Sequence, residues 1–257
     1  MHFRRLLPEP GTIDVDELLD GLRLSDRSGE DRPYVAVNFV ASVDGRATFG
    51  GRSGALGDEG DNAVFHGLRE RADAVLAGTR TMQTERYGRM LGKEERRARR
   101  IARGIAPEPL ACIITRSGEV DLTIPLFAEP EARIVIFSAA AVDTAAAAAQ
   151  LEVVRVDPGE LTATTVLRRL RSDYEVRSLL CEGGPTLFGA MLIEGVVDEL
   201  FLTVAPKLTG GGTGLTITSG PELPELTELE TEWLLTRNDS LFLRYRLKPG
   251  DGAGDRS

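Results

Sequence analysis

The chain is 257 residues long, 42% hydrophobic, and carries a formal net charge of −9, a length and apolar content that suit one large domain with its own core. The negative balance excludes nucleic acid as a principal partner, because a phosphate backbone requires a basic surface. With two histidines and two cysteines in all, a zinc centre of several His or Cys ligands cannot be assembled, and without a Gly-x-Ser-x-Gly turn a Ser-His-Asp hydrolase is excluded as well.

Residues 1–32 read as an N-terminal extension, with a short helix within Val15–Leu24 and a polar break over Ser25–Pro33. Their acidic residues give no signal-peptide pattern. No segment reaches the ~20 apolar residues of a membrane span, so a cytoplasmic protein without membrane contact is expected. Tyr34–Ser42 is an apolar strand, followed by a turn at Asp44–Gly45 and a Gly-rich loop through Gly60. Val64, Phe65 and Leu68 fall at helical spacing, predicting a helix over Asp61–Arg71. A short buried strand, Ala74–Ala77, precedes a helix opening at Thr79–Glu85, and the Arg- and Glu-rich segment Lys93–Gly104 predicts a solvated surface helix. Strands are predicted at Leu110–Thr115, Arg133–Phe137 and Glu152–Val156, with an Ala-rich helix over Ala139–Gln150 between the last two. A helix over Thr162–Arg171 follows. Then come a strand at Arg177–Cys181, a tight turn at Glu182–Gly184, a helix over Pro185–Gly195 and a strand at Leu200–Ala205. Leu241–Leu247 alternates with period two, which suits an antiparallel edge strand. The Gly- and Asp-rich tail, 248–257, reads as disordered. Cys112 and Cys181 lie in apolar runs and read as buried, inert thiols. Alternating strands and helices imply an α/β fold: a mostly parallel central sheet covered on both faces and finished by antiparallel strands.

The feature richest in chemistry is the strand that ends at Gly183–Gly184 and feeds directly into a helix. Glycines let backbone N–H groups approach a phosphate, and a helix N-terminus adds about half a positive charge. Pro185 suits the first helical position, and Thr186 offers a hydroxyl. The same turn also serves close packing alone, so both readings stand. Gly78–Thr79–Arg80–Thr81 likewise follows a strand and opens a helix, and two such turns can hold one dinucleotide between them. Thr115–Arg116–Ser117, after a further strand, suits a ribose 2′-phosphate and hence NADP over NAD; the alternative for Arg116 is an ordinary loop arginine.

The run Cys181–Glu182–Gly183–Gly184–Pro185–Thr186–Leu187–Phe188, with Val197–Asp198–Glu199–Leu200 and Ala205–Pro206, resembles the reductase domain of bacterial riboflavin-biosynthesis deaminase/reductases. Asn38, Ala41, Ser42, Asp44 and Gly45 match that family's opening motif, and Thr81 and Glu85 fall where it has a Thr and an Asp that contact NADPH. The resemblance covers roughly 33–247 and implies a stand-alone, homodimeric reductase domain with a three-layer, dihydrofolate-reductase-like fold. The implied reaction is that of a 5-amino-6-(5-phosphoribosylamino)uracil reductase, in which NADPH reduces a ribosyl group to a ribityl chain. The resemblance also implies that Gly183, Gly184, Pro185, Thr186, Leu187, Thr81, Glu85 and Val156 surround the cofactor. Its heterocyclic substrate would lie near Asn38, Ser42, Asp44, Ser53 and Glu182, with Glu182 a catalytic candidate.

Two departures bear on substrate. Glu85 replaces the family's Asp. Asp58–Glu59–Gly60–Asp61 stands where the family tends to carry basic residues for the substrate phosphate, leaving Arg69, Arg46 or Arg52 for that anion. Asp61 falls about where dihydrofolate reductases keep their catalytic carboxylate; its alternative is a helix N-cap, and the two are compatible. Three functions are therefore open: a pyrimidine reductase, a reductase of dihydrofolate or another heterocycle, or an NADP-binding protein without turnover.

Overall fold

The computed structural model describes residues 1–212 and 214–248. Its strands are β1 (His2–Leu7), β2 (Gly11–Asp14), β3 (Tyr34–Ser42), β4 (Ala74–Gly78), β5 (Leu110–Thr115), β6 (Arg133–Ser138), β7 (Gln150–Arg155), β8 (Ser178–Cys181), β9 (Glu199–Ala205), β10 (Leu229–Arg237) and β11 (Ser240–Leu247). The helices are α1 (Val15–Asp20), α2 (Glu59–Arg71), α3 (Thr79–Thr84), α4 (Glu94–Ala102), α5 (Ala163–Tyr174) and α6 (Pro185–Ile193). All the strands join one sheet in the order β2-β1-β10-β11-β9-β3-β8-β4-β5-β6-β7. From β9 to β7 the pairing is parallel, and from β9 back to β2 it is antiparallel.

The central strands read as continuous apolar runs because both faces are covered. On β3, Val35 and Val37 pack with Val166, Leu167 and Leu170 of α5 and with Phe188 and Met191 of α6. Ala36, pointing the other way, packs with Leu19 of α1 and with Val64 and Leu68 of α2. The sheet thus lies between α1–α2 and α5–α6. Its central parallel strands aim their carboxyl ends at one rim, where open α/β sheets place ligands.

Four expectations need correction. Ala139–Gln150 is not a helix. Asp143 caps an amide at Ala145, leaving too few residues before β7 for a stable helix, and the N–H groups of Ala148 and Ala149 bond the Phe127 carbonyl instead. β11 is not an edge strand, because it lies between β10 and β9, and β1 then pairs with β10. The segment 1–32 contributes β1, β2 and α1, and Phe3 is buried against Phe242 with ring centroids 4.9 Å apart. The Arg-rich helix is solvated on only part of its surface. Arg100 of α4 is buried and donates to the carbonyls of Glu70, Ala72 and Ala106, while Arg96 and Arg99 grip the buried Glu70 carboxylate. Of the tail expected to be disordered, 249–257 lies outside the described residues. Cys112 and Cys181 are both buried free thiols, and burial pushes the Cys181 thiol up to about 12.

Candidate active site

At the carboxyl rim the two glycine turns come together. The Gly78 N–H donates to the Gly183 carbonyl at 2.9 Å. A Cβ on Gly184 would lie 2.8 Å from Thr81 Oγ1, and one on Gly183 would lie 2.9 Å from the Phe39 ring. Gly183 also has φ of +88°, a conformation that favours glycine. Gly184 caps α6 with no side chain over its N-terminus, and Pro185 is its first residue. Backbone amides and a helix N-terminus therefore open at a turn packed so closely that a side chain on Gly183 would collide with Phe39 and one on Gly184 with Thr81. Thr186 Oγ1 lies 2.9 Å from Ser219 Oγ, so its hydroxyl is shared with that loop. Leu187 is half-buried.

Residues expected at the far end of a dinucleotide have other partners. Thr115 Oγ1 accepts from the Gly118 N–H, and Arg116 donates to the carbonyls of Pro158 and Leu161 at 3.2 and 3.1 Å. That is a loop clasp, which favours the ordinary-arginine alternative for Arg116. Val156 is buried and extends the β6–β7 ladder by bonding Ser138. Arg80, in the first turn of α3 beside Thr81, is exposed and has no hydrogen-bond or ion-pair partner among the described residues.

The α2-facing side of the rim carries the other candidates. β3 residues alternate faces, so Asn38 shares the α2 side with Ala36, and it lies opposite Phe201 on β9. Its buried amide makes no hydrogen bond among the described residues. Glu182, the residue before the cradle, is spoken for. Arg69 of α2 donates Nε and Nη2 to its two oxygens at 2.6 and 2.7 Å, and the Tyr87 hydroxyl donates at 2.6 Å. The side chains of Arg69 and Glu182 are only 8% and 2% exposed, and Arg69 Nη1 bonds the Met90 carbonyl. Arg69 is thus not available to a substrate phosphate, and Glu182 has no free oxygen with which to act on substrate. Tyr87, which completes this brace, carried no local sequence signal.

Around the mouth, the loop after β3 is strapped to the loop after β9. Ser42 donates to Asp44, which also accepts from the Thr209 and Gly210 N–H groups. These bonds, the Ser42 hydroxyl foremost, hold the Asp44 carboxyl well below the usual range, so it is a fixed anion. Arg46 is likewise occupied, donating to the Gly214 carbonyl at 2.8 Å. The Ser53 N–H donates to Glu85 at 2.8 Å, tying the loop to the end of α3. Lys207 donates to the carbonyls of Ala55 and Leu56.

The acidic stretch 58–61 divides by role. Asp58 is the N-cap of α2, accepting from the Asp61 N–H and from Ser240. Glu59 turns toward Arg237. Asp61 is therefore not the cap. It is half-buried and packs so closely on Gly57 that a Cβ there would collide with its Oδ2. Burial, and secondarily the Asp58 charge, raise its carboxyl above the ordinary value, against the Thr203 hydroxyl and the Lys207 ammonium.

A cavity of about 350 Å³ at the opposite ends of β5–β7, lined by Leu110, Arg133, Gln150, Glu152 and Tyr174 among others, carries no phosphate-binding turn. Both glycine turns lie at the carboxyl rim instead. Among the described residues no cluster of three His, Cys, Asp or Glu is placed to hold a metal, and no helix is long and apolar enough to cross a membrane.

Residues 33–239 match the RibD C-terminal domain. A 2,5-diamino-6-ribosylamino-4(3H)-pyrimidinone 5′-phosphate reductase of Archaeoglobus fulgidus is 27% identical over 204 residues, 77% of this chain and 92% of its own. The riboflavin biosynthesis protein RibD of Mycobacterium tuberculosis is 32% identical over 183 residues, 70% of this chain but 44% of that longer protein. A solved pyrimidine reductase-like protein from Corynebacterium diphtheriae shares the fold, with a TM-score of 0.74 at 20% identity over 93% of this chain and 100% of that one. The α/β, dihydrofolate-reductase-like architecture expected from the motifs is the one found, and the chain belongs to the RibD C-terminal domain family.

Proposed function

We propose that the chain is an NADPH-dependent pyrimidine reductase of riboflavin biosynthesis, reducing the ribosyl group of a phosphoribosylaminopyrimidine. The observation that carries this reading is the shared cradle, in which Gly183 meets Gly78 and Gly184 meets Thr81 at the head of α6. The diphosphate of the cofactor would rest there on the amides of Thr186 and Leu187, with no side chain in the way. Exposed, unpaired Arg80 is suited to the 2′-phosphate, and Glu85 closes the pocket through Ser53. Bound NADPH supplies the hydride; the protein supplies position and charge. Asn38 offers its unused amide to the substrate from the floor of the cleft. The Arg69–Glu182–Tyr87 network fixes the turn from behind, which makes Glu182 a positioning residue. The same family likeness suggests a homodimer and a cytoplasmic setting.

A second reading, reduction of a dihydropterin, is favoured by one observation. Of the carboxylates Asp44, Asp58, Asp61, Glu85 and Glu182, Asp61 alone accepts from no N–H among the described residues, its partner being the Thr203 hydroxyl. NADPH oxidation assayed with the ribosylaminopyrimidine and with dihydrofolate tests both readings. Turnover of the pyrimidine supports the first and turnover of dihydrofolate alone the second. Tight NADPH binding without oxidation of either would reduce the protein to a nucleotide binder.

A further inference from the structure

We infer that the segment 214–219, after β9, is a strap that couples cofactor binding at α6 to the substrate side of the cleft, with Ser219 as its positioning residue. The inference deepens the pyrimidine-reductase reading and rests on it. One end of the strap holds the loop after β3. The Leu215 N–H donates to Thr48 Oγ1 at 3.2 Å, the Leu215 carbonyl accepts from the Ala47 N–H at 2.7 Å, and the Gly214 carbonyl accepts from Arg46 at 2.8 Å. The other end is seated on the first turns of α6. The Ser219 N–H donates to the Pro185 carbonyl at 3.1 Å, and the Ser219 hydroxyl lies 2.9 Å from Thr186 Oγ1. The Ser219 carbonyl packs so closely on Gly189 that a Cβ there would collide with it. Between the ends, Ile217 packs against the core cluster that contains Phe188. The loop after β3 is also tied to α3, where the Ser53 N–H donates to Glu85. Because Gly184 packs on Thr81 of α3, these ties close a ring through α3, the loop 46–53, the strap and α6.

A diphosphate resting at the head of α6 acts on this ring at one atom. The Thr186 and Ser219 hydroxyls pair with either one as donor, and both residues are exposed, so water competes with the pair. The Thr186 hydroxyl stands beside the diphosphate and donates to one of its oxygens, which leaves Thr186 Oγ1 to serve Ser219 only as an acceptor. The pair then has a single direction, from Ser219 to Thr186 to phosphate. A hydroxyl chain that ends on an anion strengthens each of its members, and the cofactor also screens the pair from water. A firmer seat for Ser219 steadies Leu215, and through it the backbone at 47–48, so the substrate meets a loop whose ordering has already been met. Linkage makes the effect reciprocal. One neutral hydrogen bond is worth about fivefold in affinity, the low end of the ~5–150-fold range of such couplings.

The test measures substrate affinity with and without saturating NADP⁺, which fills the cofactor site but has no hydride to give. The probe is the ribosylaminopyrimidine phosphate that the wild type reduces with NADPH. In the wild type, NADP⁺ should tighten substrate binding about fivefold, and substrate should tighten NADP⁺ binding by the same factor. Ser219→Ala keeps the backbone seat on α6, and Thr48→Val removes the acceptor at the other end of the strap. Each should bring the factor below about twofold, because each deletes one hydrogen bond from the ring. A purely structural role for Ser219 would weaken both ligands on their own and leave the factor intact, which overturns the inference. An undiminished factor in either variant overturns it too, as does a factor of one in the wild type, a measurement that requires no variant to fold. Turnover of the pyrimidine without coupling overturns the inference alone. Failure of the wild type to reduce any ribosylaminopyrimidine overturns the pyrimidine-reductase reading together with it.

Discussion

Removing the Arg69 guanidinium while keeping its bulk, as in Arg69→Met, strands Glu182. In the native protein Glu182 receives two bonds from Arg69 at 2.6 and 2.7 Å and one from Tyr87 at 2.6 Å, in a setting almost closed to solvent. The guanidinium also lies 4.3 Å from the Phe65 ring centroid and 5.1 Å from that of Tyr87. Breaking a buried ion pair from one side costs about 3–5 kcal/mol, a large part of the ~5–15 kcal/mol that holds a domain together. The Tyr87 bond and protonation of the stranded carboxylate offset some of this, so we expect a loss of ~3 kcal/mol in urea unfolding at neutral pH. Removing both charges, as in Arg69→Met with Glu182→Gln, leaves no unpaired ion and should recover at least half of that loss. Because Glu182 precedes Gly183, NADPH affinity should fall in the single variant and partly return in the double. A loss below ~1 kcal/mol, or a double variant less stable than the single, would refute the brace. Unchanged stability with a raised KM for the phosphorylated substrate would instead make Arg69 a substrate ligand.

Three further outcomes follow from particular residues. Gly183→Ala places a Cβ at φ of +88° and 2.9 Å from the Phe39 ring, and should lower stability by about 2 kcal/mol and weaken NADPH binding; an unchanged unfolding midpoint would contradict the close packing. Arg80→Gln should raise KM for NADPH at least tenfold while leaving KM for NADH unchanged, and an equal effect on both would remove the 2′-phosphate from Arg80. His66 has its pKa lowered to about 4, by burial first and then by Arg69 and Arg96. It is therefore neutral in the folded protein at pH values where the unfolded chain already takes up a proton. Stability should fall as pH drops from about 6.5 to 4, by at most ~3 kcal/mol, and His66→Gln should flatten that decline; an identical acid limb in the variant would count against it.

What could be read in the chain was what local order writes. The β3 run, the β4–turn–α3 unit and the β8–turn–α6 unit have their chemistry in adjacent residues. The glycines that open the cradle announce themselves by sitting between a strand and Pro185. Less legible was anything fixed by distant partners. Arg69 and Glu182 lie 113 residues apart, and nothing local to Arg69 marks it as a counter-ion rather than a phosphate ligand. β10 alternates Glu230 and Glu232 with Thr231 and Trp233, and only pairing to β11 and β1 makes it a strand. The Ala-rich stretch has helical propensity, but two of its amides are taken by Phe127 across the β6–β7 crossover. Asp58 and Asp61 both suit an N-cap by residue type. The register of α2, starting at Glu59, decides between them.

The central claim is that a dinucleotide diphosphate rests on the amides at the head of α6, beside the close contact of Gly184 with Thr81. It is tested most directly by titrating NADPH against the wild type and against Gly184→Val, whose side chain begins 2.8 Å from Thr81 Oγ1, with circular dichroism confirming that the variant is folded. Saturable binding by the wild type and its loss in the folded variant is the expected result. No saturable binding by the wild type, or equal affinity in the two proteins, would contradict it.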